Sequence, residues 1–303
     1  MGPPDDPVYA ERVPPPLVTR FAPSPTGRLH LGHAYSALLN FDLAKSLGGS
    51  FRVRIEDIDQ TRCRPEFEDA IRKDLLWLAI EADGDIPRQS ERFDLYQTAL
   101  MELADRGLIY RCFKTRAEHH AALSAPQNGT PVQPAWQMAT GPLIAKDEQR
   151  LLDDGRAFAW RLDAKRIART LGAAAISWRE SIDGQADIQH AIDLSVLTDD
   201  VIARKDVPTS YHLASVVDDA AQGVTLVWRG EDLQDAIPLH RVLQELLGLP
   251  APSYRHHRLI TDAKGRRLAK RDKAETLAAL REAGTTPADV RRRLGLPIAD
   301  EPI

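Results

Sequence analysis

Leu17-Val18-Thr19-Arg20-Phe21-Ala22-Pro23-Ser24-Pro25-Thr26-Gly27-Arg28-Leu29-His30-Leu31-Gly32-His33, continued to Gly48-Gly49-Ser50-Phe51-Arg52-Val53-Arg54-Ile55, is the stretch whose reading decides the fold. Residues 17–22 read as a short buried strand, and the Pro-rich run at 23–27 forces the chain to turn at once. From Leu31 a helical stripe runs through Ala34, Tyr35, Leu38, Leu39 and Leu43 until Gly48-Gly49 stops it. Residues 51–55 return as a strand. Strand, helix and strand within about 40 residues form the βαβ unit of a parallel sheet, which receives its ligands beyond the carboxyl ends of its strands. An α/β protein is therefore expected, with its site around residues 20–33 and the end of the second strand.

Outward from this unit, helices are expected after Pro65 (Phe67, Ile71, Leu75, Leu78) and over residues 91–106. Residues 124–141 are rich in Pro, Gln, Asn and Gly, have no period and read as a loop or insertion. Strands are expected at 157–162, 174–178, 201–204, 224–228 and 257–260, and helices at 232–247 and 275–295. The 303 residues carry 40 Lys+Arg against 44 Asp+Glu, a net charge of -4, which excludes a binder held to nucleic acid by bulk attraction. The charge is nonetheless polarised. From residue 251 onward 12 Lys+Arg face 7 Asp+Glu, a local +5 that offers a patch for RNA. Two cysteines, Cys63 and Cys112, match no redox or disulfide spacing and point to a reducing cytoplasm. The first fifteen residues lack the basic start and apolar run of a signal peptide, and Asp6 stands where a myristoylation signal needs Ser or Thr. No apolar stretch approaches the roughly 20 residues of a membrane span, so no membrane partner is expected.

Gly27 and Gly32 have the spacing of a P-loop, but His33-Ala34 follows where Lys-Ser is required, and the P-loop reading fails. What remains is His30 and His33 at a helix start, with Gly32 between them allowing a ligand close to the backbone. A helix N-terminus with two imidazoles suits an anion, while two capping or surface histidines are the plainer alternative. Late in the chain, Arg266-Arg267-Leu268-Ala269-Lys270-Arg271 forms a basic segment able to close over a polyphosphate; a solvated basic face is its plainer alternative.

Taken together, Arg20-Phe21-Ala22-Pro23-Ser24-Pro25-Thr26-Gly27 and His30-Leu31-Gly32-His33 resemble the HIGH-motif region of the glutamyl branch of class I aminoacyl-tRNA synthetases. Arg267-Leu268-Ala269-Lys270-Arg271 is similar to the KMSKS motif of that branch. Arg54-Ile55-Glu56-Asp57-Ile58-Asp59, Tyr211 to Asp219 and Trp228-Arg229-Gly230-Glu231-Asp232-Leu233 match in the same order. The resemblance implies a Rossmann-type catalytic domain with an inserted acceptor-binding-like subdomain and a short C-terminal helical domain. The expected divisions are a leader at 1–16, one Rossmann-type half at 17–107, the insertion at 108–200, the second half at 201–250, and the KMSKS-like loop with the helical domain at 251–303. Because only about 30 residues follow the KMSKS-like loop, the expected member is the short kind, lacking the anticodon-reading region, that glutamylates the queuosine base at the wobble position of tRNA(Asp).

The resemblance assigns the substrate pocket to Arg20, Phe21, Ala22, Pro23, Ser24, Glu56, Tyr211 and Arg229, with Glu56 facing the glutamate ammonium and guanidinium forks suited to its carboxylates. It assigns ATP to His30, Gly32, His33 and Lys270, with His30, His33 and Lys270 the catalytic set and Mg2+ arriving with ATP. Glu56 has a second reading, as a carboxylate salt-bridged to Arg54 or Arg62, and Tyr211 has one as plain core. Asp57 and Asp59 read as structural. The partners implied are L-glutamate, ATP and tRNA(Asp) carrying queuosine, bound by a cytoplasmic monomer. Zinc is expected to be absent, because Cys112-Phe113-Lys114 breaks the family's Cys-x-Cys pair and Cys112 with His119 and His120 falls one short of four ligands. Two other functions stay open: charging of tRNA 3′ ends, and a tRNA- or amino-acid-binding protein without chemistry.

Overall fold

In the computed structural model, residues 16–114, 141–172, 176–182, 186–261 and 275–298 are described. The chain opens as expected with β1 (Val18–Phe21), α1 (Leu31–Ser46) and β2 (Ser50–Val53). The two strands are parallel, paired from Val18 with Ser50 to Phe21 with Val53. Alanines 34, 37 and 44 are buried and let α1 lie close on the sheet. Gly49 is required at its exit, because a Cβ there would lie 2.4 Å from the Leu17 carbonyl oxygen. Next come α2 (Pro65–Trp77) and α3 (Phe93–Asp105), then β3 (Ile109–Cys112), α4 (Ala145–Asp153), β4 (Ala159–Leu162) and α5 (Ala164–Leu171). The chain continues with β5 (Ser177–Glu180), β6 (Ile188–Ala191), β7 (Val201–Ala203), α6 (Tyr211–Ala221), β8 (Leu226–Gly230), α7 (Ile237–Leu246) and β9 (Ser253–His257). It closes with α8 (Leu277–Glu282) and α9 (Pro287–Leu294).

β8 and β9 are parallel, β9 is parallel to β5, and β5 is antiparallel to β6. This four-stranded piece lies beside the β1–β2 pair. Thr225 N–H donates to the Val18 carbonyl at 2.9 Å, and the buried Asn40 amide of α1 reaches across to the Trp228 carbonyl at 2.9 Å. The chain thus crosses over on both sides of β1 and β8, and the crevice beyond their carboxyl ends is where an open α/β sheet places its ligand.

The strand pairing crosses the expected boundary near residue 200 in both directions. β7 completes an antiparallel sheet with β3 and β4, whereas β5 and β6 join β9. One core cluster mixes Leu100 and Leu103 of α3, Leu162 and Ile167 from the inserted region, and Ile202, Leu213, Val242 and Leu243 of β7, α6 and α7. The expected strand at 257–260 lies instead at Ser253–His257, where it pairs residue for residue with Leu226–Gly230. The strand expected at 174–178 begins at Ser177. No helix among the described residues is long and apolar enough to cross a membrane.

Candidate active site

The loop after β1 and the segment after β2 are stitched together by backbone hydrogen bonds. Arg54 N–H donates to Phe21 O at 3.2 Å, Glu56 N–H to Pro23 O at 3.0 Å and Arg64 N–H to Pro25 O at 3.0 Å. Arg20, Ala22, Ser24 and Glu56 therefore share one wall, built by consecutive parallel strands.

Behind that wall lies a buried charge network. Arg54 is only 1% exposed, so its charge must be answered by protein rather than water. Its guanidinium pairs with Asp219 at 2.5 Å and Glu56 at 2.9 Å, with Asp218 at 3.9 Å. Asp219 also faces Arg20 at 3.4 Å. Asp218 accepts from Arg92 at 2.8 Å, Gln89 at 2.9 Å and Tyr96 at 2.8 Å. Burial alone would discharge Arg54, but the three carboxylates outweigh it and hold the group charged. For Asp219 burial pulls upward and the Arg54 and Arg20 guanidiniums pull harder, leaving its pKa below the ordinary value. At Glu56 burial wins over the same two arginines and its pKa is raised. With the histidines neutral, Arg20, Arg54, Arg92 and Arg229 against Glu56, Asp218 and Asp219 leave one positive charge.

On the neighbouring strand, Arg229 at the end of β8 is buried and directed by its neighbours. One Nη donates to the Leu233 carbonyl at 2.9 Å, and the other lies 3.3 Å from the Tyr211 hydroxyl at the start of α6. Ser210 caps α6 by accepting from Leu213 N–H, and this places Tyr211, Asp218 and Asp219 along the helix. Burial raises the Tyr211 phenol and keeps it a neutral donor.

His30 and His33 cap α1 reciprocally. His30 Nδ1 accepts from Gly32 N–H at 3.1 Å, and His33 Nδ1 accepts from His30 N–H at 3.2 Å, with ring centroids 3.8 Å apart. Since both Nδ1 atoms accept, each neutral ring carries its proton on Nε2 as a donor. The capping reading and the anion reading are thus compatible. The C-terminal region returns to the same place. Leu277 N–H donates to Leu29 O at 2.9 Å, His30 pairs with Thr276, and Ile260 lies next to Gly32. Both flanks of residues 262–274 therefore meet the start of α1, although Lys270, Arg266, Arg267 and Arg271 themselves lie outside the described residues.

The family profile described as "tRNA synthetases class I (E and Q), catalytic domain" matches residues 16–300. The chain belongs to that family. It is a class I synthetase catalytic domain, and hence a ligase. It is 46% identical over 283 residues to a protein of Rhodobacter capsulatus named glutamyl-Q tRNA(Asp) synthetase, an alignment covering 92% of this chain and 100% of the relative. It is 40% identical to glutamate–tRNA ligase 2 of Methylorubrum populi over 91% of this chain but 58% of that one. Among solved structures, a glutamate tRNA ligase from Elizabethkingia meningosepticum in complex with its amino acid superposes with a TM-score of 0.73 at 29% identity, over 90% of this chain and 59% of that chain.

Within this synthetase domain the residues picked from the motifs come together at two adjoining places. Arg20, Glu56, Tyr211 and Arg229 surround the charge network, while His30, Gly32 and His33 form the helix start beside it. Glu56 has the salt bridge to Arg54 that its second reading named, whereas Arg62 binds Asp59 at 2.8 Å. Asp57 accepts from Ser90 and Asp59 from Thr61, both structural as read. Arg54, Asp218, Asp219, His212 and His240 were not singled out individually. The only signal for them was their place inside matched segments, or for His240 none. No group of three or more metal-ligating side chains occurs among the described residues, and His119 and His120 lie outside them.

Proposed function

We propose that the chain activates L-glutamate with ATP and transfers the glutamyl group to the queuosine base of tRNA(Asp). The observation that carries the amino acid is the single surplus positive charge of the buried network. Glutamate brings two carboxylates and one ammonium, a net charge of -1, and Arg20 and Arg229 on neighbouring strands answer the carboxylates while Glu56 answers the ammonium. Ala22, Pro23 and Ser24 supply the loop backbone beside it, Phe21 braces that loop, and the Tyr211 hydroxyl orients Arg229.

In the first step a glutamate carboxylate oxygen attacks the α-phosphorus of ATP. The bond to the bridging oxygen breaks, and glutamyl-adenylate and pyrophosphate form. No protein nucleophile is needed, because the enzyme's contribution is position and charge. The Nε2 protons of His30 and His33, with the backbone at Gly32, face the phosphates, and Lys270 binds the departing polyphosphate. Mg2+ enters with the ATP phosphates. In the second step a cyclopentene hydroxyl of queuosine attacks the activated carbonyl, forming an ester and releasing AMP. The relative at 46% identity, aligned over its whole length, supports queuosine as the acceptor.

Glutamate-dependent ATP–pyrophosphate exchange tests activation, and its absence would remove this function. Labelling of tRNA(Asp) with and without queuosine tests the acceptor, since equal labelling of both would overturn it. The 40% identity to a glutamate–tRNA ligase favours a second acceptor, the 3′ adenosine of a tRNA. Glutamate label sensitive to periodate pretreatment of the 3′ end would select it. Lys270→Ala is expected to abolish exchange while calorimetric glutamate binding persists, and loss of both would misplace Lys270.

A further inference from the structure

The charge network is ringed by a second, uncharged set of groups. His240 in α7 is 2% exposed, and its Nδ1 lies 3.5 Å from an Nη of Arg229. On the far side its Nε2 lies 3.1 Å from Nδ1 of His212 in α6. Arginine has donors only, so His240 must accept at Nδ1. Its proton then sits on Nε2 and is donated to His212, whose own proton is left on Nε2. Arg229 thereby orders both tautomers, and the tautomers in turn restrain Arg229. The guanidinium is also held by the Leu233 carbonyl on one nitrogen at 2.9 Å, by the Tyr211 hydroxyl on the nitrogen that faces His240, and by the Tyr254 ring 5.6 Å from its carbon, while Nε has no hydrogen-bond partner among the described residues.

We propose that His240, braced by His212, is a positioning residue that aims Arg229 at a substrate carboxylate and so sets the affinity for the amino acid. This rests on the reading of Arg229 as a glutamate-binding group. The groups facing the pair all bear on its protonation. Arg229 from β8, Arg20 from β1 and Arg54 after β2 oppose a proton on His240, Asp200, before β7, favours one on His212, and the Tyr211 ring packs against both. Buried and faced by arginines, His240 is held neutral and keeps its acceptor.

The test compares glutamate and ATP dependence in the full chain. His240→Met keeps volume and removes the acceptor. His240→Gln offers a carbonyl oxygen to Arg229 and an amide N–H to His212. For His240→Met, calorimetric Kd and KM for glutamate are expected to rise about tenfold while KM for ATP moves less than about twofold. His240→Gln is expected to restore glutamate affinity to within about threefold. His212→Leu, at a half-buried position, repeats the test outside the core with an expected rise of about threefold. Unchanged glutamate affinity in folded His240→Met or in His212→Leu overturns the proposal. So does a loss in His240→Met that His240→Gln fails to rescue, since packing would then explain it. A wild type that binds glutamate without exchange would sink the proposed activation alone, because the calorimetric comparison still decides the positioning; a wild type that does neither overturns both.

Discussion

Arg54 shows how a single side chain can carry the site's electrostatics without touching substrate. It is sealed from water among Glu56, Asp218 and Asp219, so Arg54→Met would take from buried Glu56 its ion pair and leave Asp219 to Arg20 and Asp218 to Arg92. A loss of about 3–5 kcal/mol in urea unfolding is expected, as for other broken buried pairs. Four histidines give the opposite kind of pH record. Burial lowers His212, His240, His256 and His257, with His256 pushed down to about 4. Their unfolded forms take protons first, so the stability they contribute is complete above about pH 6.5 and falls as the solution is acidified. The urea midpoint is therefore expected to drop between pH 7.5 and 5.5, and the His212→Gln, His240→Gln double variant to flatten that slope. A slope unchanged in the double variant would mean these two rings do not titrate on unfolding. The histidines of the motif were legible in the sequence. These others were not, because a histidine's role here comes from an arginine 11 residues away from His240 in the chain and from the burial of both.

At the level of elements, starts and stops were the readable part. Pro65 opens α2, Ser210, Thr276 and Thr286 cap α6, α8 and α9, and Gly48-Gly49 ends α1, all by rules acting over a few residues. The β9 boundary was misplaced because its partner strand, not its own pattern, selects the paired residues. Two substitutions probe α1. Gly49→Ala drives a Cβ against the Leu17 carbonyl and is expected to destabilise by more than about 1 kcal/mol, measured by urea unfolding. His30→Ala removes a cap worth about 1 kcal/mol and also the donor proposed to face the phosphates. Exchange in that variant is expected to fall more than about tenfold under conditions where the protein stays folded. An equal loss in stability with full exchange would reduce His30 to a cap.

In the whole molecule, the C-terminal helices are fastened to the first half by charge as well as by core. Arg281 reaches Asp74 of α2 at 2.6 Å, and Arg291 holds Asp42 of α1 with two hydrogen bonds. Asp74 is wholly buried, and burial raises its pKa against the pull of Arg281. Arg281→Met is expected to speed amide exchange across residues 277–294 and, because this region anchors one flank of the segment carrying Lys270, to raise KM for ATP more than KM for glutamate. Unaltered amide exchange would show that the apolar contacts suffice. The basic C-terminal end also looks different in three dimensions. Arg281 and Arg291 pair with Asp74 and Asp42 of the first half, which answers two of the five surplus charges, while Arg292 and Arg293 pair with Asp289 and Glu275, already counted in that sum.

By itself the sequence determined the parallel βαβ opening, the limits of its helix and the order of the motifs, since these depend on spacing and on steric rules of the local backbone, whereas the helix expected at 232–247 begins only at Ile237 and the tail expected at 275–295 divides into two helices. Tertiary structure alone decided that Arg54 meets Asp219 across 165 positions, that β5 and β6 complete the sheet of β9, and that His240 stands behind Arg229. The reason is that a charge's cost and a ring's tautomer are set by whatever the fold presses against them. At such separations the neighbours are chosen by packing of the whole chain, and no local pattern encodes them.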